Sequence, residues 1–322
     1  MYLIFDTETT GLPKNWRAPI SDTDNWPRCV QIAWQLHDDL GNIIENNSYL
    51  IKPEGYDIPY ESEKIHGIST RLAELQGETL EVVLGEFNKS ISKSKFIVGH
   101  NVNFDLNIIG CEFFRKNISS NIELTDILDT CSEATASLCR LPGGRGGKFK
   151  LPTLTELHEF LFLSPFKEAH NATADVEATA RCFLELIRIK NFKKEQLHST
   201  DDYFIKFSEH NKNTIQNIGL KHQNLKKKSE NLKKEFLESE VLKEKYTTDE
   251  SDVDLSECDF THLHNHSQFS MLQSTIKIKE LVELTSEMNM KAVAITDLGN
   301  MMGAFRFVDA VTKKNKEITE YN

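Results

Sequence analysis

A chain of 322 residues is long enough for two domains, or for one domain with an appendage. With 39% hydrophobic and 27% charged residues it reads as globular rather than disordered, and no apolar run approaches membrane-spanning length. The formal charge of −11 excludes a basic surface that coats itself with nucleic acid; a nucleic-acid substrate would be held by local cations and bound metal.

The N-terminus carries no basic segment before Leu3, so a signal peptide is not expected. The six cysteines form no C-x-x-C pair and fall in apolar segments, which predicts reduced, buried thiols in a cytoplasmic protein without a membrane anchor.

Tyr2 to Phe5 is a short apolar run of the buried-strand type, and it ends in Asp6-Thr7-Glu8-Thr9-Thr10-Gly11. In extended backbone, residues two apart point to one face, so Asp6 and Glu8 share a side of the sheet. Two like charges about 4 Å apart repel by about 4 kcal/mol at an effective dielectric of about 20. A hard divalent cation between them is one way to hold such a pair, and solvated turn or cap residues are the other. A loop rich in Pro, Asn and Trp follows. Cys29 to Leu36 then alternates as a strand, Asp39 to Asn42 supplies a turn, and Asn47 to Lys52 a return strand, giving an antiparallel meander.

From Pro59 the pattern becomes helical, and Leu80, Val83, Leu84, Phe87 and Ile91 predict an amphipathic helix over residues 78–93. Phe96 to Val98 is a further short strand, ending in Gly99-His100-Asn101. Asn103 is placed to cap a helix with Asp105 in its first turn. Ile127 to Thr130 predicts another strand. Gly143 to Lys150 is a glycine-rich basic loop, in which Arg145, Lys148 and Lys150 are candidate phosphate contacts. Helices are predicted from Thr153 and over residues 172–189, the second carrying Asp175. Strands alternating with helices after an antiparallel start predict a mixed sheet in an α/β fold.

Three stretches then carry a resemblance: Phe5 to Gly11, Gly99 to Asp105, and His170 to Asp175. Together they resemble the motifs of the DEDDh family of 3′→5′ exonucleases, over about residues 1–190. The resemblance implies a ribonuclease H-like fold with a five-stranded mixed sheet and flanking helices. It implies that Asp6, Glu8, Asp105 and Asp175 hold two Mg²⁺ or Mn²⁺ ions, and that His170 is the general base. Phosphodiester hydrolysis needs an activated water and charge stabilisation, which such a set supplies. The same resemblance implies substrate contacts from Glu61 and His66, a base pocket bordered by Thr9 and Leu12, and a supporting role for Asp129 outside the metal set.

Residues 191–258 change composition. Leu225, Leu232 and Phe236 recur at heptad-like spacing amid many Lys and Glu, which predicts a solvated, partly helical linker with a flexible acidic joint at 247–257. Residues 259–322 resemble the opening of the PHP domain of DNA polymerase III alpha subunits, in Phe260 to Ser267 and Ala294 to Gly303. His264 and His266 share a strand face, and with Asp297 they form a possible residual metal site. Leu298 stands where that family has a histidine, and the segment is too short to close the domain. The order of exonuclease, linker and PHP start implies a DNA-proofreading nuclease acting on a single-stranded or frayed 3′ end beside polymerase III components. RNA trimming and a non-catalytic replisome tether are the alternatives.

Overall fold

Residue alternation in the first strand sets the architecture. The computed structural model describes residues 1–164, 171–216, 223–247, 260–270 and 273–321. Strand β1 (Tyr2–Thr9) sends Leu3 and Phe5 into one hydrophobic cluster and Ile4 into another on the opposite face. It pairs antiparallel with β2 (Cys29–His37), which pairs antiparallel with β3 (Ile43–Leu50). The return strand thus begins earlier than the apolar pattern predicts. Its Glu45-Asn46-Asn47-Ser48 stretch alternates half-buried and exposed side chains, as an edge strand does.

The helical pattern after Pro59 breaks at Gly67 into α1 (Tyr60–His66) and α2 (Thr70–Gln76), before α3 (Leu80–Lys93). Gly67 adopts φ 77°, the left-handed conformation that ends a helix without a Cβ penalty. Strand β4 (Phe96–Gly99) lies parallel to β1, and α4 (Asn103–Arg115) follows it. Val102 occupies the position before α4 and no side chain caps it, so Asn103 is the first helical residue rather than the cap. Strand β5 (Asp126–Asp129) pairs parallel with β4 and completes the five-stranded sheet, in the order β3-β2-β1-β4-β5. This is a mixed five-stranded sheet with flanking helices, as the resemblance implies.

Helices α5 (Glu133–Cys139), α6 (Leu154–Phe162) and α7 (Ala172–Arg188) follow. Helix α7 buries Val176, Ala180, Phe183 and Ile187 against Ile4, Ala33 and Val98 on one sheet face. On the other face, Val83, Leu84 and Phe87 of α3 and Ile108 and Ile109 of α4 cover Leu3, Phe5, Trp34 and Ile97.

The stretch expected as linker contributes to this core. Phe192, Leu197, Phe204 and Phe207 are buried in the α7 cluster, the last two on α8 (Asp201–His210). Tyr203 holds the Tyr2 hydroxyl at 2.7 Å. Further on, α9 (Leu225–Thr247) lays Leu225 and Leu232 against Val30, Ile58, Ile68 and Leu72. The solvated reading fails here because the many Lys and Glu of α9 mask a narrow apolar stripe. Residues 248–257 of the expected acidic joint lie outside the described residues.

The chain divides into two compact units, Met1–Leu242 and Lys243–Asn322. In the second, α10 (Ile278–Glu287) packs on α11 (Ala304–Tyr321). Among the described residues, the strand pattern expected around His264 is reduced to one parallel bridge, His262 with Val293. Among the described residues, no helix is long and apolar enough to cross a membrane. Five cysteines (Cys29, Cys111, Cys131, Cys139 and Cys182) are free thiols, while Cys258 lies outside the described residues.

Candidate active site

The C-terminal end of β1 delivers Asp6 and Glu8 to the face covered by α7, and α7 brings Asp175 from its first turn. Carboxylate oxygens of these three residues lie within 4.8 Å of one another, and all three side chains are half-buried. Asp105, in the first turn of α4, is buried beside them and completes the set predicted from the motifs.

Asp105 is positioned by β1 itself. The Thr7 amide and hydroxyl both donate to its Oδ1, at 3.0 and 2.6 Å. Alternation along β1 explains why. Asp6 and Glu8 face α7, so Thr7 between them faces the α4 side. Thr7 was not singled out from the sequence, although its place between two motif carboxylates was the available signal.

Asp129, at the end of β5, fixes the other side of the α4 entrance. Its carboxylate accepts from the amides of Asn101 at 2.8 Å, Val102 at 3.2 Å and Cys131 at 2.8 Å. Asn101 is held at φ 60° in this turn. These bonds order the turn before α4, and the Asp129 charge also acts on Asp105.

Electrostatics at the cluster are dominated by desolvation. Burial pushes Asp6 well above the ordinary aspartate range, and the charges of Asp105, Asp175 and Glu8 push it further. Glu8 is raised to about 8, by burial first and then by Asp175 and Asp105. Asp105 is raised to about 7 by burial, against the lowering effect of the Thr7 hydrogen bonds. Oxygen-only donors that resist holding their own negative charge suit a hard divalent cation, which stabilises the ionised forms.

The remaining predicted residues fall into place unevenly. His170 lies outside the described residues. The Thr9 hydroxyl donates to the Gly11 carbonyl at 2.7 Å, and Leu12 is 72% exposed. Glu61 is exposed on α1 with Lys64 at 3.5 Å. His66 is buried at the end of α1, where its Nδ1 accepts from the Ile68 amide at 3.1 Å. In the basic loop, Lys148 pairs with Glu133 and Lys150 with Glu156, so two of its three cations are already matched to carboxylates.

In the second unit the His266 charge acts on Asp297, while His264, His266 and Asp297 do not form a compact three-ligand group among the described residues. Asp297 accepts from the Ser267 amide and hydroxyl and from the Ser270 hydroxyl, at 2.6, 2.7 and 3.0 Å. These bonds outweigh its desolvation and hold its carboxyl below the usual range. His264 and His266 contact each other edge to face, with ring centres 4.7 Å apart, and His264 Nδ1 lies 3.0 Å from the Thr296 hydroxyl.

A mixed sheet thus carries a carboxylate pair on its central strand, with further carboxylates in the first turns of α4 and α7. The model of the family described as Exonuclease matches residues 3–183, and the chain belongs to that family. The model described as PHP domain matches residues 262–319.

Among similar proteins is the DNA polymerase III subunit alpha of Aquifex aeolicus, 49% identical over 53 residues, which are 16% of this chain and 5% of that protein. The Helicobacter pylori DNA polymerase III subunit alpha is 46% identical over 55 residues, 17% of this chain and 4% of that one. The chain thus spans only a small fraction of the length of these relatives. Among solved structures, E. coli Exonuclease I in complex with a dA16 oligonucleotide is 21% identical with a TM-score of 0.48, covering 64% of this chain and 45% of that one.

Proposed function

We propose that this chain is a metal-dependent 3′→5′ exonuclease that removes nucleotides from DNA ends, and that it serves proofreading as the N-terminal part of a polymerase III alpha-like polypeptide. The observation that supports the chemistry is the convergence of Asp6, Glu8 and Asp175 within 4.8 Å, with buried Asp105 beside them. The replication context is supported by the PHP match and by the alpha-subunit relatives.

Asp6, Glu8, Asp105 and Asp175 would hold two divalent ions, Mg²⁺ or Mn²⁺. When bound, such ions lower the pKa of a water and stabilise charge on the attacking and leaving oxygens of an in-line displacement. The chain supplies the rest. Thr7 and Asp129 fix where Asp105 points, through bonds to its carboxylate and to the turn that precedes α4. Because Glu8 and Asp105 are raised to about 8 and about 7, they hold protons near neutral pH that a cation would displace, so loading would release protons. His170 is proposed, on its motif, to accept the proton of the attacking water at its imidazole, a group whose ordinary pKa suits that task.

The test is digestion of single-stranded DNA and RNA, each labelled at the 3′ or the 5′ end, with Mg²⁺, with Mn²⁺ and with EDTA. The reading expects early release of the 3′ label as a mononucleotide, from DNA in preference to RNA, and none in EDTA. Early release of the 5′ label, or cleavage that survives EDTA, contradicts it.

A further inference from the structure

Beside the acidic cluster lies a groove of about 410 Å³ that the proposed chemistry does not use. Gln31, Asn46 and Ser48 of β2 and β3 form its floor, on the α7 side of the sheet. Asn171 and Thr173, at the start of α7, form one wall. Gln76, Gln223 and Lys228 complete the lining, with the Gln223 carbonyl accepting from Asn171 Nδ2 at 3.0 Å.

Its position ties it to the cluster through two elements. Gln31 is the direct cross-strand partner of Glu8, and Thr173 precedes Asp175 by two residues on α7. Its chemistry is the opposite of the cluster's. Among the described residues no carboxylate lines it, and its polar side chains are amides, hydroxyls and one ammonium.

Two of these groups call for a ligand. Gln31 is 3% exposed, its Nε2 donates to the Ser48 hydroxyl at 3.2 Å, and its Oε1 is buried with no hydrogen-bond partner among the described residues. A buried amide oxygen left without a donor costs about 1–3 kcal/mol, so a ligand N–H placed there is favoured. Lys228 Nζ is held by the neutral oxygens of Gln223 at 2.6 Å and Gln76 at 3.2 Å, and it pairs with no carboxylate among the described residues. It is a fixed positive charge available to an anion. Amide side chains match the mixed donor and acceptor edges of nucleobases, and an ammonium matches phosphate.

We propose that this groove binds one nucleotide, its base against Gln31 and the neighbouring amides and its phosphate toward Lys228. The same chemistry is offered by a nucleotide of the strand under digestion and by the free monophosphate that digestion releases. The inference rests on the nuclease reading for its choice of ligand, but its test does not need hydrolysis.

Equilibrium binding is measured on the full chain in EDTA, with dAMP, with a dA4 oligonucleotide and with inorganic phosphate. The wild type is compared with Lys228→Met and Gln31→Leu. Each variant is expected to weaken dAMP, dA4 or both by about tenfold, equivalent to about 1.4 kcal/mol. Loss confined to dA4 identifies the strand as occupant, and loss confined to dAMP identifies the product. Lys228 is half-buried on α9, its Nζ bonding only Gln223 and Gln76 among the described residues, so Lys228→Met keeps the test valid should Gln31→Leu fold poorly. Affinities for both nucleotides unchanged in Lys228→Met overturn the proposal, as does phosphate alone binding as tightly as dAMP. Asp6→Ala serves as the control: it loses hydrolysis if the nuclease reading holds, whereas groove binding in EDTA is read independently of that outcome.

Discussion

Thr7 and Asp105 show how a single hydroxyl governs the acidic cluster. Both donors of Thr7 converge on one oxygen of a buried carboxylate, and without them the burial of Asp105 would raise its pKa further. Thr7→Val keeps the shape and the amide bond but removes the hydroxyl. A hydrogen bond to a charged group is worth about 1.5–3 kcal/mol, so urea unfolding at pH 8 should show a loss of that order. Mn²⁺ affinity at neutral pH should fall as well, because Asp105 would hold its proton more tightly. Unchanged values for both would remove Thr7 from the site.

The carboxylates also predict how stability depends on pH. Glu8 moves from an ordinary value of 4.5 to about 8 on folding, and Asp105 from 3.8 to about 7. Between those limits the folded chain binds more protons than the unfolded one. The stability these groups contribute is therefore full below their unfolded values and is lost as pH rises through the folded ones. Buried His37 and His100 are shifted down and act in the opposite direction below about pH 6.5. The clean measurement is consequently a difference: the gain in Tm on adding Mg²⁺ to chelated protein. That gain should be larger at pH 8 than at pH 5.5, where protons compete with the cation, and it should shrink in Asp6→Asn. A gain independent of pH contradicts the assignment.

At the scale of elements, the segment after α7 carries the main revision. A boundary near residue 190 follows from the last motif ending at Asp175, but Phe204 and Phe207 are 7% and 0% exposed in the same cluster as Phe183. Burial of each such side chain is worth about 1.5–3 kcal/mol, against a total stability of about 5–15 kcal/mol for a domain. A chain ending at residue 195 should lose more than 10 °C in Tm, or fail to fold, whereas one ending at 242 should melt cooperatively. Thermal melts of both check this, and equal Tm values would restore the shorter boundary.

Helix α9 is anchored more by polar contacts than by its pattern suggests. The Ser229 hydroxyl donates to the Gly67 carbonyl at 2.7 Å and accepts from the Ser69 amide at 3.1 Å. Lys233 pairs with Glu63, and the Arg71 guanidinium lies 4.2 Å from the centre of the Phe236 ring. A Cβ on Gly67 would meet the Lys226 backbone nitrogen at 2.6 Å, in a backbone conformation already unfavourable for alanine. Gly67→Ala should therefore destabilise the 1–242 chain by more than about 1 kcal/mol while sparing any fragment that lacks α9 of this contact penalty.

For the molecule as a whole, legibility in sequence follows the range of the interactions. The central strands and α3 and α7 were readable because their apolar residues repeat with the period of the element. Strand alternation alone put Asp6 and Glu8 on one face, whereas Asp105 and Asp175 joined them in sequence only through the resemblance of their motifs. Thr7 was not readable, since its partner is 98 residues away. Ser229 was not, because a buried serine in a Lys- and Glu-rich helix looks the same in sequence as an exposed one. The groove beneath α7 was hidden for a similar reason: Gln31, Asn171 and Lys228 come together only through the tertiary fold.

The chain's net charge of −11 places a further demand on the site, since an anionic strand must approach an acidic protein. Bound divalent ions would reverse that repulsion locally, so cation loading and substrate binding should be linked. The most direct test of this account is single-turnover hydrolysis of a 3′-labelled DNA strand by wild type, Asp6→Ala and Asp175→Ala across a Mn²⁺ titration, with circular dichroism confirming that each is folded. The account predicts wild-type cleavage that saturates with Mn²⁺ and at least a 10³-fold loss in both folded variants, about the worth of one essential stabilising group. Cleavage by folded Asp6→Ala at near the wild-type rate would contradict it.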